Sequence, residues 1–233
     1  MAQSETVERI LDAAEQLFAE RGFTETSLRS ITGKAGVNLA AVNYHFGSKK
    51  ALIHEVFARF LTPFCQALDA ELTRRQQVGE DDPGLEELLE LLVVQARSVE
   101  SRLDNDLAVF MRLLGLALIQ EQGHVRQYLD DKYGKVFRRY MQLLNAVAPP
   151  IPPEELFWRV HFMLGAAAFT MAGIKPLGRI ADSKFAVQTS SEQVLHLLVP
   201  FMAAGLRADA ALPGAPRMAT RTEVDGRSPS RLE

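Results

Sequence analysis

A chain of 233 residues, 47% hydrophobic and 24% charged, is long enough to bury a sizeable core and excludes a disordered or fibrous protein. Its single cysteine, Cys65, rules out an internal disulfide, and no Cys/His pairs fall at zinc-ligand spacing, so neither a metal nor a cofactor is expected. The net charge of −3 hides an asymmetry: Arg21 to Arg59 holds six basic residues against two acids, whereas Leu61 to Asp130 holds six against thirteen, as expected if only one end meets a polyanion.

No basic region followed by an apolar stretch opens the chain, so a cytoplasmic location is expected. The longest apolar runs, Phe162 to Ile174 and Leu195 to Leu206, fall short of the roughly 20 residues of a membrane span, and no membrane partner is expected.

The 3.6-residue period recurs throughout and no strand-length alternation appears, so the predicted fold is all-α. A first helix follows Ser4 as N-cap, buries Val7, Ile10, Leu11, Ala14, Leu17 and Phe18, and ends at Gly22. Thr26 opens a short helix through Lys34, Asn38 caps another through His45, and Ser48 caps a long one carrying Leu52, Ile53, Val56, Phe57, Phe60, Leu61, Phe64 and Leu68, with a kink expected at Pro63. The polar stretch Arg74 to Asp82 separates it from a helix over Leu85 to Ser98. Asp106 to Gln120 and Glu154 to Ala172 are apolar almost all round, which predicts helices buried on several sides. His124 to Val147 between them is amphipathic, a last helix covers Ser191 to Arg207, and the tail from Leu212, rich in Pro, Gly, Arg and Ser, is expected to be disordered.

Residues Leu28 to His45 meet the physical requirements of a helix-turn-helix. Ala35 is small enough for a close helix crossing, Gly36 allows the turn, and Ile31, Val37 and Val42 lock the pair. A generic αα-hairpin would look the same at this level. The surrounding text narrows it: Ile10-Leu-Asp-Ala-Ala-Glu-Gln-Leu-Phe-Ala-Glu-Arg-Gly-Phe23, Thr26-Ser-Leu-Arg-Ser-Ile31, Ala35-Gly-Val37 and Tyr44-His-Phe-Gly-Ser-Lys49 resemble the TetR family of one-component bacterial regulators. Asn38 to Lys49, Phe110 to Gly115 and Phe157 to Phe169 are also similar to a fatty-acid-responsive member of that family, which controls β-oxidation genes.

The resemblance implies an N-terminal three-helix DNA-binding domain over 1–48, a helical ligand-binding and dimerisation domain over 49–210, and the tail over 211–233. It implies a repressor that binds an inverted-repeat operator in double-stranded DNA as a homodimer. The helix from Asn38 to His45 would enter the major groove, with Leu39, Ala40, Ala41, Asn43 and Tyr44 nearest the bases and Lys49 on a phosphate. Many members carry tyrosine where this chain has Asn43, and the ring here comes one place later, at Tyr44. The recognition helix has no Lys or Arg and cannot form the Arg–guanine fork; Asn43 can pair bidentately with adenine, and Leu39, Ala40 and Ala41 can touch thymine methyls. Anchoring then falls to Arg29, Lys49, Lys50 and the Thr26 and Ser27 hydroxyls, with backbone amides at helix N-termini.

The two most apolar helices carry few charges. Arg112 stands alone between Leu107 and Ile119, and Arg159 and His161 alone between Leu156 and Ile174, with no acid in either span. A buried guanidinium needs an anion: either an internal acid supplies it, the helix turns Arg112 to water, or a ligand carboxylate does. On the last alternative Phe110, Met111, Arg112, Leu114, Phe157, Arg159, His161 and Phe162 form the site of a long-chain fatty acid or acyl thioester. A second alternative is a repressor of efflux genes sensing a cationic drug through Asp130 and Asp131. Nothing supports an enzyme, since His45, His54, His124, His161 and His196 lie at no catalytic spacing. Gly165-Ala-Ala-Ala168 and the last helix suit the four-helix dimer interface that the resemblance implies.

Overall fold

The computed structural model describes residues 2–78, 83–103, 107–120 and 123–210, and these form ten helices with no strand among them. The helices are α1 (Ala2–Glu25), α2 (Leu28–Ala35), α3 (Leu39–Phe46), α4 (Lys49–Val78), α5 (Leu85–Leu103), α6 (Leu107–Ile119), α7 (Gly123–Val147), α8 (Pro153–Ala172), α9 (Ile174–Phe185) and α10 (Ser191–Arg207). The expected disordered tail lies outside the described residues.

α1 starts at Ala2, so Ser4 is inside the helix and is not its cap. The predicted stripe is buried as expected: Ile10, Leu11, Ala14, Leu17 and Phe18 join the core, with Val7 packed at its edge. Gly22, at φ 81° and ψ 171°, breaks the helical path near its end. α4 runs from Lys49 through Pro63 to Val78 as one helix, five residues into the stretch whose polarity predicted a loop. Ion pairs one turn apart support that extension, for Glu71 accepts from Arg74 at 2.9 Å and from Arg75 at 2.9 Å. Their hydrogen bonds, Arg74's foremost, pull the Glu71 carboxyl down to about 2.

α4 is the spine, in contact with α1, α5 and α7. α6 lies along α8 in the most extensive helix pairing, and also touches α1, while α10 packs on α5 and α8. Phe60 stacks on Phe110 at 4.1 Å, with Phe57 edge-on to the same ring at 6.3 Å, which joins α4 to α6 through aromatic packing. Across α4 and α7, the Thr62 and Tyr133 hydroxyls share a 2.7 Å hydrogen bond, and Arg139 donates to Asp69 at 2.7 Å and to Thr73 at 2.9 Å.

α9 was not anticipated. Pro176 falls in its first turn, where a missing N–H costs nothing, and Ala186 ends it in the left-handed region at φ 54°. Among the described residues no single helix is long and apolar enough to cross a membrane.

Candidate nucleic-acid interface and effector-binding body

α2 and α3 are each fixed by side-chain caps. Ser27 accepts from the Ser30 amide at 3.0 Å while Ser30 accepts from the Ser27 amide at 3.1 Å, a reciprocal capping box. Gly36, left-handed at φ 63°, closes α2 with its N–H on Thr32. Asn38 Oδ1 accepts from the Ala41 amide at 2.8 Å and starts α3, and Ser48 accepts from the Ala51 amide at 3.1 Å to start α4. Ser27, one residue after the expected Thr26, is therefore the cap of α2.

Thr26 itself is fully buried, and its hydroxyl donates to the Leu17 carbonyl at 3.1 Å and the Gly22 carbonyl at 2.8 Å. It holds the end of α1 together and has no hydroxyl free for a phosphate, which corrects its expected anchoring role. Arg9 is a residue that the sequence reading missed: its guanidinium donates to the Ala35 carbonyl at 2.5 Å and the Gly36 carbonyl at 3.0 Å, clamping the turn from α1. No motif marks it, because it lies on the polar side of an ordinary amphipathic helix.

α3 is held to the domain through Val42, fully buried, and presents Leu39, Ala40, Asn43 and Tyr44 outward, with Tyr44 76% exposed. Ala41 and His45 are half-buried, His45 between the rings of Tyr44 (5.0 Å) and Phe46 (6.3 Å). Ser27, Arg29, Asn38 and Lys50 are exposed. Lys49 is half-buried with its Nζ 3.4 Å from the Thr24 carbonyl; burial lowers its pKa, against the opposing pull of Glu25. Arg59, counted in the basic segment, is committed elsewhere: it pairs with Glu8, Asp12 and Glu15 of α1 at 3.1, 2.8 and 3.0 Å.

The expected ligand residues are not gathered at one place. Phe110 is core, Met111 and Leu114 are half-buried beside it, and Arg112 is exposed on α6, so water reaches the guanidinium. Arg159 is 8% exposed and fully engaged inside the chain. It donates to Glu155 at 3.1 and 2.5 Å and to the carbonyls of Gly205, Leu206, Ala208 and Asp209 at 2.7–3.0 Å, which makes it the C-terminal cap of α10. An internal acid thus answers it, which corrects its assignment to a ligand carboxylate.

Phe157, Trp158, Phe162 and Phe169 are 54–73% exposed, so α8 is open on one face instead of buried all round. His161 is exposed too, and its Nδ1 lies 2.7 Å from the Phe157 carbonyl. On α10, Leu197 and Phe201 are likewise exposed. Asp130 and Asp131 lie on the surface of α7, paired with Arg138 at 3.1 Å and Gln127 at 2.8 Å. Among the described residues no group of three or more His, Cys, Asp or Glu side chains is placed to hold a metal ion.

A capped helix-turn-helix with an uncharged, solvent-facing second helix, mounted on a helical body, defines a DNA-binding regulator. The chain belongs to the TetR family of bacterial transcriptional regulators: the family model described as "Bacterial regulatory proteins, tetR family" matches residues 10–56, and "Tetracyclin repressor-like, C-terminal domain" matches residues 90–205. It is 24% identical over 172 residues to the probable HTH-type transcriptional regulator YttP of Bacillus subtilis, covering 71% of this chain and 75% of that one. It is 40% identical over 52 residues to the HTH-type transcriptional repressor KstR2 of Rhodococcus jostii, covering 22% of this chain and 26% of that one. Among solved structures, NalD of Pseudomonas aeruginosa, a secondary repressor of a multidrug efflux pump, shares the fold with a TM-score of 0.56 at 24% identity, covering 89% of this chain and 99% of that one.

Proposed function

We propose that this chain is a dimeric repressor of fatty-acid metabolism genes that holds an inverted-repeat operator in double-stranded DNA and is released by a long-chain fatty acid or its thioester. The observation that carries the DNA-binding part is the outward face of α3: Leu39, Ala40, Asn43 and Tyr44 share one side of a helix locked from behind by Val42. Bases are read there by Asn43 against adenine and by Leu39 and Ala40 against thymine methyls, with Tyr44 beside them. Arg29, Lys50, the Ser27 region and Lys49, once it turns from Thr24, supply phosphate contacts.

A homodimer is supported by the unpaired apolar face of two adjacent helices. Trp158, Phe162 and Phe169 on α8 and Leu197 and Phe201 on α10 stay exposed in the single chain, and Gly165 and Ala204 between them leave room for close approach. Pairing that face with a second copy removes it from water and sets two α3 helices on half-sites one turn, about 34–36 Å, apart.

The effector reading rests on the similarity of Asn38 to Lys49, Phe110 to Gly115 and Phe157 to Phe169 to the fatty-acid-responsive regulator PsrA, together with the pairing of α6 with α8, in which neither Leu107 to Ile119 nor Leu156 to Ala172 carries an acid. Met111, Leu114 and Met163 are half-buried along that pairing, an apolar lining suited to an acyl chain, and exposed Arg112 is the first partner for its carboxylate. The exposed positions of Asp130 and Asp131 take away the support for a cation-sensing site. The test is selection of duplexes from a random pool followed by titration with oleate, for wild type and Arg112→Gln. Selection without an inverted repeat refutes the dimeric operator; undiminished binding at saturating oleate refutes the effector; an unchanged response in the variant refutes only the role of Arg112.

A further inference from the structure

We infer that Gln120 is a positioning residue for operator binding, a latch through which α6 holds the reading head in its DNA-competent shape. The inference rests on the reading of α3 as the recognition helix. It starts at the break in α1, where Gly22 leaves the helical path and the chain turns toward α2. Side chains seal that break from two sides. Thr26, next to the Ser27 cap, donates to the Leu17 and Gly22 carbonyls from within the domain. The other seal comes from outside it: Gln120 Oε1 accepts from the Phe23 amide at 3.2 Å.

Gln120 moves with α6, because its own amide donates to the Leu116 carbonyl at 2.9 Å and so continues the last turn. α6 in turn is set by its packing on α8 and by Phe110 against Phe57 and Phe60, the layer in which an effector is proposed to bind. On the receiving side, Phe23 is buried against Phe18 (5.3 Å) and Phe57 (6.1 Å), so its backbone has little freedom to follow a moving partner. The approach is also close: a Cβ at Gly22 would lie 2.7 Å from Gln120 Nε2, so this glycine serves the latch as well as the turn.

A hydrogen bond at 3.2 Å has little slack, and a displacement of α6 by about 1 Å along it removes the acceptor. Phe23, Thr26 and Ser27 follow one another into the start of α2, so loosening at Phe23 reaches the orientation of α2 and α3. The hydrogen bond itself runs from α6 to the end of α1 and not through α4, although Phe57 of α4 packs against both Phe23 and Phe110.

The experiment compares full-length wild type with Gln120→Met, which keeps length and loses the acceptor, and Gln120→Glu, which keeps an acceptor oxygen. The readouts are the Kd for a duplex selected by the wild type, amide exchange at Phe23, and the response of both to oleate. Gln120→Met is expected to raise Kd about tenfold, equivalent to about 1.4 kcal/mol, and to speed Phe23 exchange while α8 exchange stays unchanged; Gln120→Glu stays near wild type. Oleate is expected to speed Phe23 exchange in the wild type and to add little in Gln120→Met. A wild-type Kd for Gln120→Met, or equal losses in Met and Glu variants, overturns the latch. So does release of wild type by oleate without faster Phe23 exchange. If oleate releases nothing while Gln120→Met still weakens binding and Glu restores it, the effector reading fails and the latch stands.

Discussion

Replacing Arg159 with Met separates a structural arginine from a ligand-binding one. The guanidinium is 8% exposed and its nearest anion, Glu155, is 6% exposed. Removing one member of such a pair takes the guanidinium from a buried carboxylate, a loss of about 3–5 kcal/mol. The carbonyls of Gly205, Leu206, Ala208 and Asp209 lose their donor at the same time, and since most of them are partly open to water they add little beyond that range. With a urea slope of about 3 kcal/mol per M, suited to a chain this long, a loss of about 4 kcal/mol lowers the midpoint by roughly 1.3 M. The measurement is urea unfolding followed by circular dichroism at one fixed protomer concentration, because association also contributes to apparent stability. Glu155→Leu combined with Arg159→Met should recover much of the loss, as apolar replacement of a whole buried pair often does. A midpoint within about 0.3 M of wild type in the single variant, joined to a lost oleate response, would refute this reasoning and return Arg159 to the ligand site.

Three further outcomes follow from the same geometry. Asn43→Ala should relax preference at one base pair at a cost of about 1–3 kcal/mol, whereas Lys49→Ala should weaken all duplexes together and reduce the salt slope by roughly one, both read from Kd at several salt concentrations. Gly36→Ala should destabilise the reading head by about 1–2 kcal/mol in thermal unfolding, because its φ is 63° and the new Cβ would stand 2.8 Å from Arg9 Nη2. His54 on α4 and His124 on α7 share a 3.0 Å hydrogen bond, and His54 stacks on Tyr128 at 4.1 Å. Burial is the main cause that lowers both imidazole pKa values, opposed at His54 by the His124 hydrogen bond and Glu55 and helped there by Lys132, and helped at His124 by His54 and Lys50. The unfolded chain therefore binds more protons just below pH 6.5, so the pair's contribution is full above that value and is lost as pH falls through the lowered range. The urea midpoint should drop between pH 7.5 and 5.5 by less in His54→Gln/His124→Gln than in wild type.

Helix content was legible because the 3.6-residue period recurs along most of the chain, with Asn38 and Ser48 marking the starts of α3 and α4. The places that were not legible have separate physical causes. Thr26 and Ser27 are both hydroxyl residues able to cap α2, and the choice was decided by Ser30 reaching back to the Ser27 amide and by burial of Thr26. Arg159 seemed to lack an acid because Glu155 sits one residue before the apolar span; the i, i+4 spacing of the two was the available signal. α4 outran its apolar stripe on Glu71, Arg74 and Arg75 pairs, which hydropathy does not register. An apolar pattern all round α8 predicts burial on several sides, yet in one chain the face that carries Phe157, Trp158, Phe162 and Phe169 has nothing to bury against. The outward side of α3 was the most accessible in sequence, because Val42, its one fully buried residue, fixes which side faces in.

Among the described residues, α4 and the Gln120 contact both join the body to the helix-turn-helix head, and they differ in what they transmit. α4 is a continuous helix of 30 residues, about 45 Å long. It is bound to α1 by Arg59 on three acids and to α7 by the His54–His124 and Thr62–Tyr133 contacts, so under the proposed function it acts as a lever that carries the head as a whole. In the proposed dimer a tilt of α4 changes the separation of the two α3 helices and leaves each one's internal geometry intact. The Gln120 contact acts inside one head, on the turn into α2. A tenfold loss of affinity takes about 1.4 kcal/mol of differential binding, close to the net worth of one hydrogen bond, so either connection is strong enough by itself. They are distinguished by what a half-site sees: a lever leaves affinity for an isolated half-site unchanged, and a latch lowers it together with affinity for the full operator.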